Sequence, residues 1–166
     1  MKNEASDRGD LRKLGELIGD IDVAMMTTRS ADSSLASRPL QTLKLDADGE
    51  LIFFTGADSQ KVKELTDDPC VNLTFVHAKD QRYISVRGRA RMDRDEATID
   101  ELWSPTQHIF FPGGKSDPNL MVLRVRIQDA AYWEAKGNFL ARALDFARGM
   151  LDESPSDLGD HGHLKI

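Results

Sequence analysis

Two rhythms of apolar positions run along this chain. Leu11, Leu14, Leu17 and Ile18 recur at the spacing of one helix face, and Gly19 follows as a stop. That spacing predicts a short amphipathic helix over 10–18, after polar residues 1–9 that read as disordered. Period two then takes over. Residues 22–29 are β-like, a turn-rich SADSS breaks the run, and 35–45 is a second extended stretch ended by Asp46-Ala47-Asp48-Gly49. Glu50–Thr55 is a third strand, too short and aromatic for a helix. Residues 58–66 predict a helix, closed by Asp67-Asp68-Pro69. In 70–77, Val71, Leu73 and Phe75 hold one phase. In 82–92, Ile84, Val86, Ala90 and Met92 alternate with Tyr83, Ser85, Arg87, Arg89 and Arg91, and Gly88 falls on the apolar phase. A short helix over 94–103 precedes a Pro/Gly-rich loop over 104–119, a length that in a small domain points to function or motion. Met121, Leu123, Val125 and Ile127 open a last strand running toward Tyr132 and Trp133. Residues 139–150 predict a terminal helix, and 151–166 read as a disordered tail.

Six short strands with intervening helices, no internal repeat and no linker predict one β-rich, barrel-like α+β domain. The length of 166 residues suits that reading. Charge narrows the partners: 22 Lys and Arg against 28 Asp and Glu give −6, which argues against general nucleic-acid affinity. No apolar run approaches the roughly 18 residues of a membrane span, and the charged N-terminus lacks a signal-peptide core. The single cysteine, Cys70, excludes an internal disulfide and is expected to be a small buried hydrophobe. A cytoplasmic chain with no membrane partner is the expectation.

Several motifs fail on inspection. Gly114-Lys115-Ser116 imitates the end of a phosphate-binding P-loop, but the required first glycine falls at Ile109. There is no GxSxG elbow. His77, His108, His161 and His163 are not spaced as a metal site, and no metal is expected. No His/Asp/Glu constellation nominates a general acid or base, so the catalytic residues are unknown.

The segment Phe54-Thr55-Gly56-Ala57-Asp58-Ser59-Gln60-Lys61 is more informative. It joins a strand to a helix N-terminus, where free N–H groups and the macrodipole favour an anion. Thr55 and Ser59 supply hydroxyls, and Gly56 permits close approach. Lys61 and Lys63 in the first helical turn are disfavoured by the dipole by roughly 0.3–1 kcal/mol, a sign that a bound phosphate reverses. The segment also fits a plain Ser or Asp cap with solvated lysines. Likewise the arginines on 82–92 fit a solvated face or a subunit contact, and Trp103, Phe110, Phe111 and Trp133 fit either a flat aromatic ligand or the core.

Six motifs in register carry a resemblance. They are Arg38-Pro39-Leu40; Phe53-Phe54-Thr55-Gly56-x-x-Ser59-x-Lys61-x-x-Glu64-Leu65; Gln81-Arg82-Tyr83-Ile84-Ser85-Val86-x-Gly88; Leu102-Trp103-x-Pro105; Phe111-Pro112-x-Gly114; and Tyr132-Trp133. Together, over residues 10–137, the chain resembles the general-stress-protein branch of the pyridoxamine 5′-phosphate oxidase-like flavoproteins. The resemblance implies a six-stranded antiparallel split β-barrel with short flanking helices, and an FMN-binding domain over 10–150 that includes the C-terminal helix. It also implies a homodimer holding FMN in clefts between subunits. The family's cofactor positions fall here on Arg38, Pro39, Leu40, Phe54, Thr55, Gly56, Ser59 and Lys61, with Tyr83 and Trp133 toward the flavin ring. Two departures stand out: Phe110 replaces a frequent Trp, and the C-terminus lacks the basic substrate segment of true pyridoxamine phosphate oxidases. The implied function is therefore a flavin-dependent oxidoreductase of unknown substrate. The alternative is a non-catalytic stress protein that binds flavin or another small anion.

Overall fold

A computed structural model describes residues 4–135 and 159–166. Helix α1 (Glu4–Ile18) leads into β1 (Val23–Arg29), β2 (Leu35–Gln41), the two-residue β3 (Lys44–Leu45) and β4 (Glu50–Gly56). Then follow α2 (Gln60–Asp67), β5 (Cys70–His77), β6 (Arg82–Asp93) and α3 (Glu96–Leu102). Two 3-10 turns, Pro105–Ile109 and Gly114–Ser116, lead to β7 (Leu120–Ala135), and β8 (Gly159–Lys165) comes last.

The fold is α+β and β-rich, as expected, but the described strands number eight and form one antiparallel sheet in the order β2-β1-β5-β6-β7-β4-β3, with β8 on β7. The long β7 organises it. Its whole length borders β6, its first half pairs β4 on the other edge, and its second half pairs β8. Inward residues of β1, β4, β5, β6, β7 and β8 meet Leu14, Leu17 and Ile18 of α1 in the larger core, so the sheet wraps around it. A smaller core of Ile52, Phe54, Ile99, Phe111, Leu120 and Val122 lies on the other face of β4, under α3 and the long loop. Sandwiched between the two, β4 is buried on both faces, which explains its unbroken apolar run.

Four expectations need correction. Residues 4–9 belong to α1 rather than to a disordered end. Once Leu14, Leu17 and Ile18 nucleate the helix, extending it through residues such as Glu4, Ala5 and Arg8 costs little. Residues 159–165 form a strand rather than a disordered tail: Leu164 enters the core, and the Lys165 N–H donates to Asp10 Oδ2 at 3.0 Å. Residues 151–158 and the predicted helix over 139–150 lie outside the described residues. The 35–45 run is two strands, because Thr42 N–H bonds back to the Asp22 carbonyl and Leu43 N–H to that of Ile52. Cys70 is exposed, since β5 starts on its outward phase, and Arg89 Nη1 stands 3.6 Å from the sulfur.

Gly88 shows how tightly the barrel closes. Arg87 pairs with Asp129 but Gly88 with Ile127, so Gln128 is the extra residue of a bulge. A Cβ on Gly88 would come within 2.6 Å of both the Arg126 carbonyl oxygen and Val125 Cγ1. Gly88→Ala is expected to destabilise the fold by about 1–3 kcal/mol, read as a lower denaturant midpoint. An unchanged midpoint would mean that the bulge relaxes freely.

Candidate functional site

A cleft of about 320 Å³ opens where the end of β4, the start of α2, β2 and the long loop converge. Pro39, Leu40, Phe54, Thr55, Gly56 and Lys61 line it, six of the ten residues expected from the sequence. Leu43, Phe54 and Phe111 supply apolar wall, and Phe110, 68% exposed, stands at the mouth.

One end of the cleft is cationic. The half-buried Lys61 extends from the first turn of α2, and its ammonium donates to Thr55 Oγ1 at 3.1 Å. Among the described residues no carboxylate oxygen comes within 4.0 Å of Nζ. Burial first, and then the nearby Arg38 charge, pull the Lys61 pKa below its ordinary value, with Asp58 opposing them. Ser59 is the residue that caps α2, yet its side chain makes no capping bond; Oγ lies 3.5 Å from Thr55 Oγ1 instead. The helix thus begins with no acidic residue in its first turn and with two hydroxyls and an ammonium beside it. Such a group of donors, partly withdrawn from water, favours an anion.

Gly56 permits close approach, though to the protein rather than to open space. A Cβ there would stand 2.9 Å from Asn119 Nδ2. Asn119 braces the turn, accepting Asp58 N–H at its side chain (3.0 Å) and Ala57 N–H at its carbonyl (2.8 Å).

Arg38 is placed behind this end, not in its lining. Its Nη2 donates to the buried Glu64 at 2.7 Å and its Nη1 to Thr28 Oγ1. Glu64 also accepts from Thr28 at 2.6 Å, Ser30 at 2.9 Å and Gln60 at 3.4 Å. These bonds, that from Thr28 foremost, hold the Glu64 carboxyl down at about 2 against the opposing effect of burial. Because the folded value lies below the ordinary 4.5, Glu64 contributes stability above that pH and loses it as pH falls toward 2. Glu64→Gln is expected to cost about 3 kcal/mol at neutral pH by leaving the guanidinium without its counter-charge. The variant should also lose less stability than the parent between pH 4.5 and 2. Equal acid sensitivity in denaturant titrations would show that this network does not set it.

Tyr83 and Trp133 are not brought to this cleft. They pair across β6 and β7 on the outward face, 44% and 50% exposed. Gln41 at the cleft pairs with Val23, Val76 with Tyr83, and Trp133 with His161, and continuing the β1–β5 register sets Val23 beside Val76. This row carries four exposed large hydrophobic side chains, Val23, Val76, Tyr83 and Trp133. From Gln41 to Trp133 it crosses four strand spacings, roughly 19 Å along the sheet.

The remaining candidates resolve simply. Trp103 joins the smaller core, 6.3 Å from the Phe54 ring and edge-on to His108 at 5.3 Å. Lys115, in the imitation P-loop, ion-pairs with Asp100 at 2.7 Å. Asp20, His77 and Asp80 can each turn one ligand atom within 4.8 Å of the others, but Arg82 already ion-pairs with Asp20. The sequence reading missed Gln41, Leu43, Gln107 and Asn119 in the cleft lining, and Glu64's hold on Arg38. Gln41 had a usable signal, being the next residue after the Arg-Pro-Leu motif. Gln107 had none, since a 3-10 turn in a loop obeys no apolar period.

The comparisons with known proteins agree with this architecture. The sequence model of the family described as "Pyridoxamine 5'-phosphate oxidase like" matches residues 9–157. Protein bli-3 of Neurospora crassa is 27% identical over 143 residues, 80% of this chain and 68% of that protein. General stress protein 26 of Bacillus subtilis is 28% identical over 78 residues, 45% of this chain and 55% of that protein. Among solved structures, a general stress FMN/FAD binding protein from Xanthomonas citri is 25% identical, with TM-score 0.63, over 82% of this chain and 94% of that one. Among the described residues no helix is long and apolar enough to cross a membrane.

Proposed function

Since the chain belongs to the pyridoxamine 5′-phosphate oxidase-like family, we propose that it binds FMN in this cleft as a homodimer and acts as a flavin-dependent oxidoreductase of the general-stress-protein type. The observation that carries the reading is Lys61, a half-buried ammonium in an apolar-walled cleft, with hydroxyls beside it and, among the described residues, no carboxylate within ion-pairing distance. These residues fit a phosphate. Thr55, Ser59 and Lys61 would hold it, Arg38 would lend its charge from behind, and Pro39, Leu40, Phe54 and Gly56 would flank the rest of the ligand. FMN, when bound, supplies one- and two-electron transfer, while the protein supplies binding, orientation and electrostatics.

The size of the cleft and the outward row support the homodimer reading. A volume of about 320 Å³ is at the low end for a site that encloses a ligand of this size, about 300–1,000 Å³. A second copy laid face to face would bring its Tyr83 and Trp133 over the mouth that one chain leaves open, and would cover Val23 and Val76. Titrating FMN into the purified protein and following flavin fluorescence tests the reading. Saturation at one FMN per chain is expected, and no saturable binding would overturn it. Steady NAD(P)H oxidation by the loaded protein separates an oxidoreductase from a protein that only stores flavin.

A further inference from the structure

The polar residue in the cleft that nothing above uses is Gln107. It is only 4% exposed, sits in the first 3-10 turn and lines the cleft. A primary amide can donate two hydrogen bonds and accept two. Here Nε2 makes one long bond, 3.5 Å to Gln41 Oε1, and among the described residues Oε1 accepts none. That oxygen is not sealed from solvent, so its unused acceptor capacity is open to a ligand in the cleft.

Its place in the cleft indicates the partner. Gln41 is three residues along β2 from Arg38, about 10 Å at strand rise. Its one contact thus lies about 10 Å along the strand from Arg38, and Leu40, Leu43 and Phe54 line the same cleft. With Nε2 on Gln41, Oε1 keeps its acceptor capacity for a ligand. An acceptor so placed suits a ring N–H flanked by carbonyls, and Nε2 suits one of those carbonyls. We infer that Gln107 is a specificity residue that reads the imide edge of a flat heteroaromatic ring, held in orientation by Gln41. This rests on the FMN reading above and adds to it. The site selects a ligand by a ring N–H as well as by a phosphate, and disfavours phosphorylated rings without an imide, such as pyridoxal 5′-phosphate.

The test uses FMN and its N3-methyl derivative as probes, titrated into the full-length protein and into Gln107→Leu, Gln107→Met and Gln107→Glu. The parent is expected to prefer FMN to N3-methyl-FMN by at least tenfold. Gln107→Leu should bring the two affinities within about twofold of each other, mainly by weakening FMN. Gln107→Glu keeps an acceptor and should keep a preference. Gln107→Met, similar in length but without a strong hydrogen-bonding atom, serves in place of leucine if that variant fails to fold. A parent that binds both flavins equally, or an apolar variant that keeps the full preference, overturns this inference and leaves FMN binding standing. A parent that binds neither flavin overturns the FMN reading and this inference with it.

Discussion

Replacing Lys61 with alanine is expected to weaken FMN by about tenfold or more while leaving riboflavin nearly unchanged. Lys61 gives up hydration to stand half-buried beside Arg38, and its pKa falls for that reason. A phosphate returns the lost stabilisation through charge-assisted hydrogen bonds, worth roughly 1.5–3 kcal/mol each. At about 1.4 kcal/mol per decade, losing one such bond accounts for the expected factor. Riboflavin has no phosphate and should not register the change. Among the described residues Lys61 holds only the Thr55 hydroxyl, so the variant should fold as the parent does. Fluorescence titrations with both ligands decide the matter. Equal losses for FMN and riboflavin would show that Lys61 does not touch the phosphate.

The second large effect concerns the outward face. Trp133→Glu should leave each chain folded, because Trp133 is half exposed and belongs to neither core. A carboxylate at the end of the row of Val23, Val76 and Tyr83 would meet the partner's apolar face, and burying it without a counter-charge is costly. The variant should therefore sediment near 18.5 kDa. It should also lose FMN affinity by tenfold or more, although no residue of its own cleft has changed. A variant that stays dimeric with parental affinity would separate this face from the site.

Much of the fold was legible because its strands obey simple rules. In β5 and β6 the apolar phase holds and matches the buried phase, whereas the first half of β7 also buries Leu120 and Val122 of the opposite phase in the smaller core. The same rule failed for β8, where Leu164 is the lone buried residue among His161, His163 and Lys165, and only the edge of β7 gives the segment a place. It failed at Cys70 because an outward strand position can carry any small residue. At the site, the strand-to-helix segment was readable since hydroxyls, a glycine and a first-turn lysine form a local pattern. Arg38 was read as facing the ligand, yet its deciding partner, Glu64, is 26 residues away and no local pattern links the two. Gln107 is more distant still, brought to Gln41 across 66 residues by the path of the long loop.

If FMN sits in a cleft completed by two chains, mass and flavin content must rise together, and both should be measured on the same sample. Light scattering of the FMN-loaded protein, with absorbance read across the peak, gives both at once. A species near 37 kDa, twice the 18.5 kDa of one chain, carrying one FMN per chain is the expected result. Because ligand that binds only the dimer stabilises it by mass action, added FMN should also draw any monomer into that peak. A clean 18.5 kDa species that still holds FMN stoichiometrically would contradict the account.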